Sequence, residues 1–129
     1  MKLAYVIVYV ADVATTVTFY ERAFGLKRRF VHEAGQYAEM ETGATALAFV
    51  QEDFAASNGL AFHKNRPGDP AAGAEVGLVS GDVAADFKTA VAAGAIPVVQ
   101  PMQKPWGQTV SYVRDCNGVL VEICSAMTG

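Results

Sequence analysis

Charge, cysteine and long apolar runs are all scarce in this 129-residue chain, and each scarcity closes off a class of function. Only 18% of the residues are charged, and ten Lys and Arg stand against thirteen Asp and Glu for a net charge of −3. The longest basic cluster is Lys27-Arg28-Arg29, too short to follow a phosphate backbone, so nucleic acid is not expected as a partner. Two cysteines, Cys116 and Cys124, have neither a CxxC nor a metal-finger spacing and read as free thiols, Cys124 as a small core residue. No stretch approaches the roughly eighteen consecutive apolar residues a membrane span needs. The apolar start, Leu3 to Val10, has no basic segment beyond Lys2 and no convincing cleavage site, so it does not read as a signal peptide and a cytoplasmic setting is expected.

What the chain does have is apolar material, at 52% of residues, which argues for a folded protein with some apolar surface available for oligomer contacts. The length suits one domain. Within it the sequence repeats itself. Segment 5–13, YVIVYVADV, aligns with segment 75–83, EVGLVSGDV, at a constant offset of 70 residues, so that Asp12-Val13-Ala14 matches Asp82-Val83-Ala84.

Each β-rich run ends at an Asp whose carboxylate can accept from the unpaired amides of a first helical turn. Helices should therefore start at Asp12 and Asp82. Val13, Val17, Tyr20 and Phe24 form one helical stripe, and Val83, Phe87, Ala90 and Val91 form the other. Gly25 and Gly94 close the helices. Three strand candidates follow each helix, 27–33, 36–41 and 44–51, then 96–100, 109–114 and 119–125. The last two of each set are joined by glycine-bearing turns, Glu41-Thr42-Gly43 and Asp115-Cys116-Asn117-Gly118. The expected fold is α+β, with two βαβββ modules at 1–51 and 74–126. The breaker-rich segment 52–73 links them, though Phe54, Leu60 and Phe62 imply that parts of it pack.

In order, spacing and duplication, three segments resemble the glyoxalase/bleomycin-resistance/extradiol-dioxygenase (vicinal oxygen chelate) superfamily. These are YVADVATTVTFYERAFGL at 9–26 with its preceding strand, GLVSGDVAADFKTAVAAGA at 77–95, and PWGQTVSYVRDCNGVLVEIC at 105–124. The resemblance implies that the modules curl into an open, barrel-like cup that holds the ligand. It also implies that metal-dependent members draw their ligands from the first and last strands of each module. Transferred here, those positions are Tyr5, Ala48, Glu75 and Glu122, a set without the histidine that the enzymes use.

Glu122, among Leu120, Val121, Ile123 and Cys124, is a carboxylate in an apolar strand and needs a partner. It is the candidate for a catalytic base, a metal ligand or an anchor for a polar ligand group, against the plainer reading of a locally satisfied structural carboxylate. Glu75 is a second ligand-binding candidate or a solvated strand end, and Tyr5 suits ligand contact or packing better than coordination. Trp106, in Lys104-Pro105-Trp106-Gly107, either stacks on a flat substrate or anchors packing. His32, at the end of a strand, and His63, in the linker, do not fall in register to replace the missing imidazoles.

The expected function is binding of a small organic molecule in the cup, for resistance or sequestration, by a homodimer with no bound cofactor. The alternative is a glyoxalase-like lyase or dioxygenase with a hard divalent metal held by Glu75 and Glu122. A scaffold with its cup plugged by side chains is the third possibility.

Overall fold

The computed structural model describes residues 1–127. The chain divides into two compact units, Met1–Asn65 and a second beginning at Arg66. In the first, β1 (Tyr5–Val10) leads through α1 (Val13–Phe24) to β2 (Lys27–Val31), β3 (Tyr37–Glu41) and β4 (Ala46–Gln51). A short helix, α2 (Glu52–Ala56), follows inside the segment expected to link the modules. The second unit repeats the pattern with β5 (Glu75–Val79), α3 (Val83–Ala92), β6 (Ile96–Gln103), β7 (Thr109–Arg114) and β8 (Leu120–Cys124). Each unit is thus βαβββ, and the fold class is α+β. The sheet orders are β1-β4-β3-β2 and β5-β8-β7-β6, with the first strand of each module parallel to the last.

The aspartate caps form as their chemistry requires. Asp12 Oδ1 accepts from Thr15 N at 2.9 Å and Asp82 Oδ1 from Ala85 N at 3.1 Å, each satisfying one orphan amide of its first turn. At the other end of α1, Gly25 adopts φ 67°, and its amide donates back to Glu21. The predicted stripes form the buried faces through Val13, Val17 and Tyr20 in α1 and Val83, Phe87 and Ala90 in α3, while Phe24 and Val91 at their ends are only half-buried. Tyr20 packs its ring 4.8 Å from that of Phe49 on β4, so α1 covers one face of the first sheet. Helix α3 lies in the same way against β6, β7 and β8. The opposite face of each sheet carries the polar side chains described below.

Strand β6 runs past the expected end at 100 to Gln103, through Pro97 and Pro101. It lies at the edge of its sheet, and its register against β7 shifts twice, between Pro97 and Val99 and between Val99 and Met102. An edge strand has one row of amides that no neighbour uses, which is where the missing proline N–H is tolerated.

The connection before β5 is tied down within the second unit. The Arg114 guanidinium donates to the carbonyls of Pro67 (3.2 Å), Arg66 (3.3 Å) and Asp69 (2.6 Å), and its Nε donates to Gly118 O at 2.8 Å. An arginine fork engaged by four backbone oxygens is committed to structure.

Candidate functional site

Strand register decides which side chains meet. On the second sheet, Gly77, Glu122 and Tyr112 stand side by side on β5, β8 and β7. Glu75, two residues before Gly77, shares their face because strand side chains alternate. The Tyr112 hydroxyl donates to Glu122 Oε1 at 3.0 Å. The other carboxylate oxygen, Oε2, overhangs Gly77, where an added Cβ would sit 3.7 Å from it. The absence of a side chain at Gly77 leaves the space beside Oε2 open.

Three further groups extend this face. Cys124, two residues after Glu122, points its thiol at Leu78 O at 3.7 Å. Gln108 donates to Ser125 O at 3.0 Å and accepts from the Trp106 indole N–H at 2.9 Å. Trp106 is 60% exposed yet has its indole N–H tied down.

The electrostatics mark the face as acidic. Burial and then the neighbouring Glu122 hold the Glu75 carboxyl above its ordinary value. The Tyr112 phenol is pushed up to about 12, first by its hydrogen bond to Glu122 and then by burial. Burial is the main cause of the raised Cys124 thiol, with Glu122 adding to it. The ion pairs include Arg28–Glu21, Arg29–Glu39 and Arg29–Glu41, and among the described residues neither Glu75 nor Glu122 enters one.

In the first unit the matching register row is Ile7, Ala48 and Glu39. Glu39 is only 7% exposed, accepts from Tyr37 Oη at 2.8 Å, and meets Arg29 at 3.3 Å. Arg29 also grips Glu41 with two hydrogen bonds of 2.9 Å. A carboxylate–tyrosine pair therefore occurs in both units, but only in the first is it neutralised by arginine.

Of the four ligand candidates read from the sequence, Glu75 and Glu122 share one face, with Trp106 reached from Glu122 through Cys124 and Gln108. Tyr5 belongs to the first unit, where it opens β1 and is 52% exposed. His32 and His63 are both exposed, and His32 Nδ1 accepts from the nearby Ala34 amide. Reading the sequence by its repeat missed Tyr112, Gln108 and Gly77 in the second unit and Tyr37, Glu39 and Arg29 in the first. The signal for Tyr112 was the β7–β8 hairpin register, which requires the turn type to be known.

A three-ligand transition-metal site does not fit these donors. Among the described residues no three His, Cys, Asp or Glu side chains gather where one ion could bind them. The first-module counterpart of Glu122 is Ala48, which has no donor atom.

Comparison with known proteins follows the geometry. The family model of the Glyoxalase/Bleomycin resistance protein/Dioxygenase superfamily matches residues 2–123. No curated protein matches the chain. Among solved structures, a glyoxalase-related enzyme from Fulvimarina pelagi superposes with a TM-score of 0.78 at 23% identity, covering 98% of this chain and 88% of that one. TioX from Micromonospora sp. ML1 gives 0.71 at 24% identity, with 97% and 98% covered. A glyoxalase/bleomycin resistance protein/dioxygenase family enzyme from Burkholderia phytofirmans PsJN gives 0.76 at 15% identity, with 97% and 98% covered. At these identities the likeness is one of fold.

Proposed function

Because the chain belongs to the Glyoxalase/Bleomycin resistance protein/Dioxygenase superfamily, we propose that it binds a small organic molecule, for resistance or sequestration, rather than catalysing a metal-dependent reaction. The observation that carries this reading is the open face of the second unit. Glu122 is fixed there by Tyr112, Glu75 stands nearby, Gly77 leaves room, and Trp106 offers an exposed ring. An apolar surface with a few convergent polar groups is how small-ligand sites are usually built.

We also propose that the protein works as a homodimer in the cytoplasm. Support for the dimer comes from edge strand β1, where the consecutive residues Tyr5, Val6 and Ile7 all remain exposed. Cys116 and Cys124 form no disulfide, which suits a reducing compartment.

A thermal-shift screen of small organic molecules tests the binding reading, since a ligand that binds only the folded state raises apparent stability. Hits should stabilise the wild type and lose about 1–3 kcal/mol of binding in Glu122→Gln, the scale of a charge-assisted hydrogen bond. The variant should fold, because the Tyr112 hydroxyl can donate to the glutamine carbonyl as it does to the carboxylate. Hits that bind Glu122→Gln and Trp106→Ala as well as wild type would place the ligand elsewhere and defeat the reading.

A further inference from the structure

We infer that the ligand of the second unit's open face is a planar organic cation, stacked on the Trp106 indole with its charge against Glu75 and Glu122. The inference rests on the small-molecule reading above and adds the ligand's charge and shape.

The charge follows from a comparison of the two units. Both hold a glutamate against a tyrosine hydroxyl on the sheet face turned away from the helix: Glu39 with Tyr37 in the first and Glu122 with Tyr112 in the second. The first unit completes its pair with Arg29, whose guanidinium spans Glu39 and Glu41. The second unit has two carboxylates on this face, Glu75 and Glu122, and, among the described residues, no ion pair for either. Its own arginine on β7, Arg114, is turned to four backbone carbonyls instead. Tyr112 supplies one hydrogen-bond donor but no positive charge. Two neighbouring carboxylates on a partly desolvated face repel one another, and a cation between them relieves that repulsion.

The shape follows from Gly77 and Trp106. Gly77 puts no side chain beside Oε2 of Glu122, where an added Cβ would stand 3.7 Å from that oxygen, so the space next to the carboxylate is left for a ligand. Trp106 is an independent observation. An exposed indole would usually sample several orientations, but this one donates its N–H to Gln108, itself held by Ser125 O. A ring fixed in this way keeps its π-face available at little entropic cost, and a tryptophan face is the aromatic surface that attracts cations best.

The chain contains a single tryptophan, so its fluorescence reports on this site alone. The test is titration of the full-length protein with N-methylquinolinium and with 2-naphthoate, two bicyclic aromatics of opposite charge, followed by Trp106 emission and by calorimetry. The cation should change the emission saturably and bind about tenfold or more tightly than the anion, as expected for opposite-charge contacts on a partly desolvated face. In the double variant Glu75→Gln/Glu122→Gln the preference for the cation should vanish. Glu75→Gln alone, at an exposed strand end, should reduce it part of the way and guards against a folding defect in the double variant. Equal or tighter binding of 2-naphthoate would overturn the cation inference while leaving the small-molecule reading intact. Quenching by the cation that persists in the double variant would be collisional and would overturn it too. If neither probe binds, the planar-cation class is wrong, and the broader screen alone then decides whether the face binds small molecules.

Discussion

Glu75 and Tyr112 carry the account at the scale of single residues, and both make predictions about pH. The Glu75 carboxyl is raised above its ordinary 4.5, by burial and then by Glu122, so the folded state holds that proton more tightly than the unfolded chain. Its contribution to stability is therefore complete below the unfolded value and is lost as pH rises through the folded one. Relative to wild type, the thermal midpoint of Glu75→Gln should rise as the pH climbs through and above the ordinary carboxylate range. Parallel pH profiles for the two proteins would show that Glu75 feels no such environment. Tyr112 and Tyr37, two of five tyrosines, should ionise near 12 in a spectrophotometric titration, each raised by burial and by its glutamate. In Glu122→Gln the Tyr112 transition should move back toward 10, and a titration curve unchanged by that substitution would contradict the Tyr112–Glu122 hydrogen bond. At this scale the sequence was legible where the repeat pointed. Glu122 stood out as a charge in an apolar strand. Tyr112 did not, since a tyrosine in a strand has a sufficient explanation in packing.

Elements were more legible than residues because their signals are local. The Asp caps and the helical stripes each act within a few residues, and both caps and most stripe positions appear where the pattern places them. Removing the α3 cap with Asp82→Ala should lower stability by about 1 kcal/mol in urea unfolding. An unchanged midpoint would mean that the Ala85 amide finds water as good a partner. The β7–β8 turn shows what local signals leave open. A four-residue turn at 115–118 would set Ser111 opposite Glu122, whereas the observed register sets Tyr112 there. Asp115 pairs with Val119 across a three-residue loop: its amide donates to Val119 O at 2.8 Å, and its buried carboxylate accepts from the Asn117 and Val119 amides. Gly118, at φ 88°, closes that loop. A slip of one residue would turn Tyr112 to the other face of the sheet, so the site depends on this loop. A methyl group on Gly118 would stand 2.5 Å from Arg66 O in a backbone conformation that alanine resists. Gly118→Ala should therefore destabilise by at least about 2 kcal/mol, read from the denaturation midpoint. A shift within about 0.5 kcal/mol, the range of an ordinary surface change, would show that the loop yields easily.

For the whole molecule, duplication is the organising fact. Two βαβββ units follow one repeated pattern, and the second carries an acidic group at Glu122 where the first has Ala48. The exposed β1 edge predicts self-association, so light scattering at micromolar concentration should report a dimer, and a monomer there would remove that proposal. What the repeat could not convey is the division of labour between the units. That depends on which carboxylates have an internal cation, and so on the contacts of Arg29 and Arg114 rather than on residue type. The central claim, ligand binding without a resident metal, is tested most directly by elemental analysis of protein purified without an affinity tag. The account predicts far less than one equivalent of any transition or divalent metal per chain. One equivalent in the wild type, lost in both Glu75→Gln and Glu122→Gln, would contradict it.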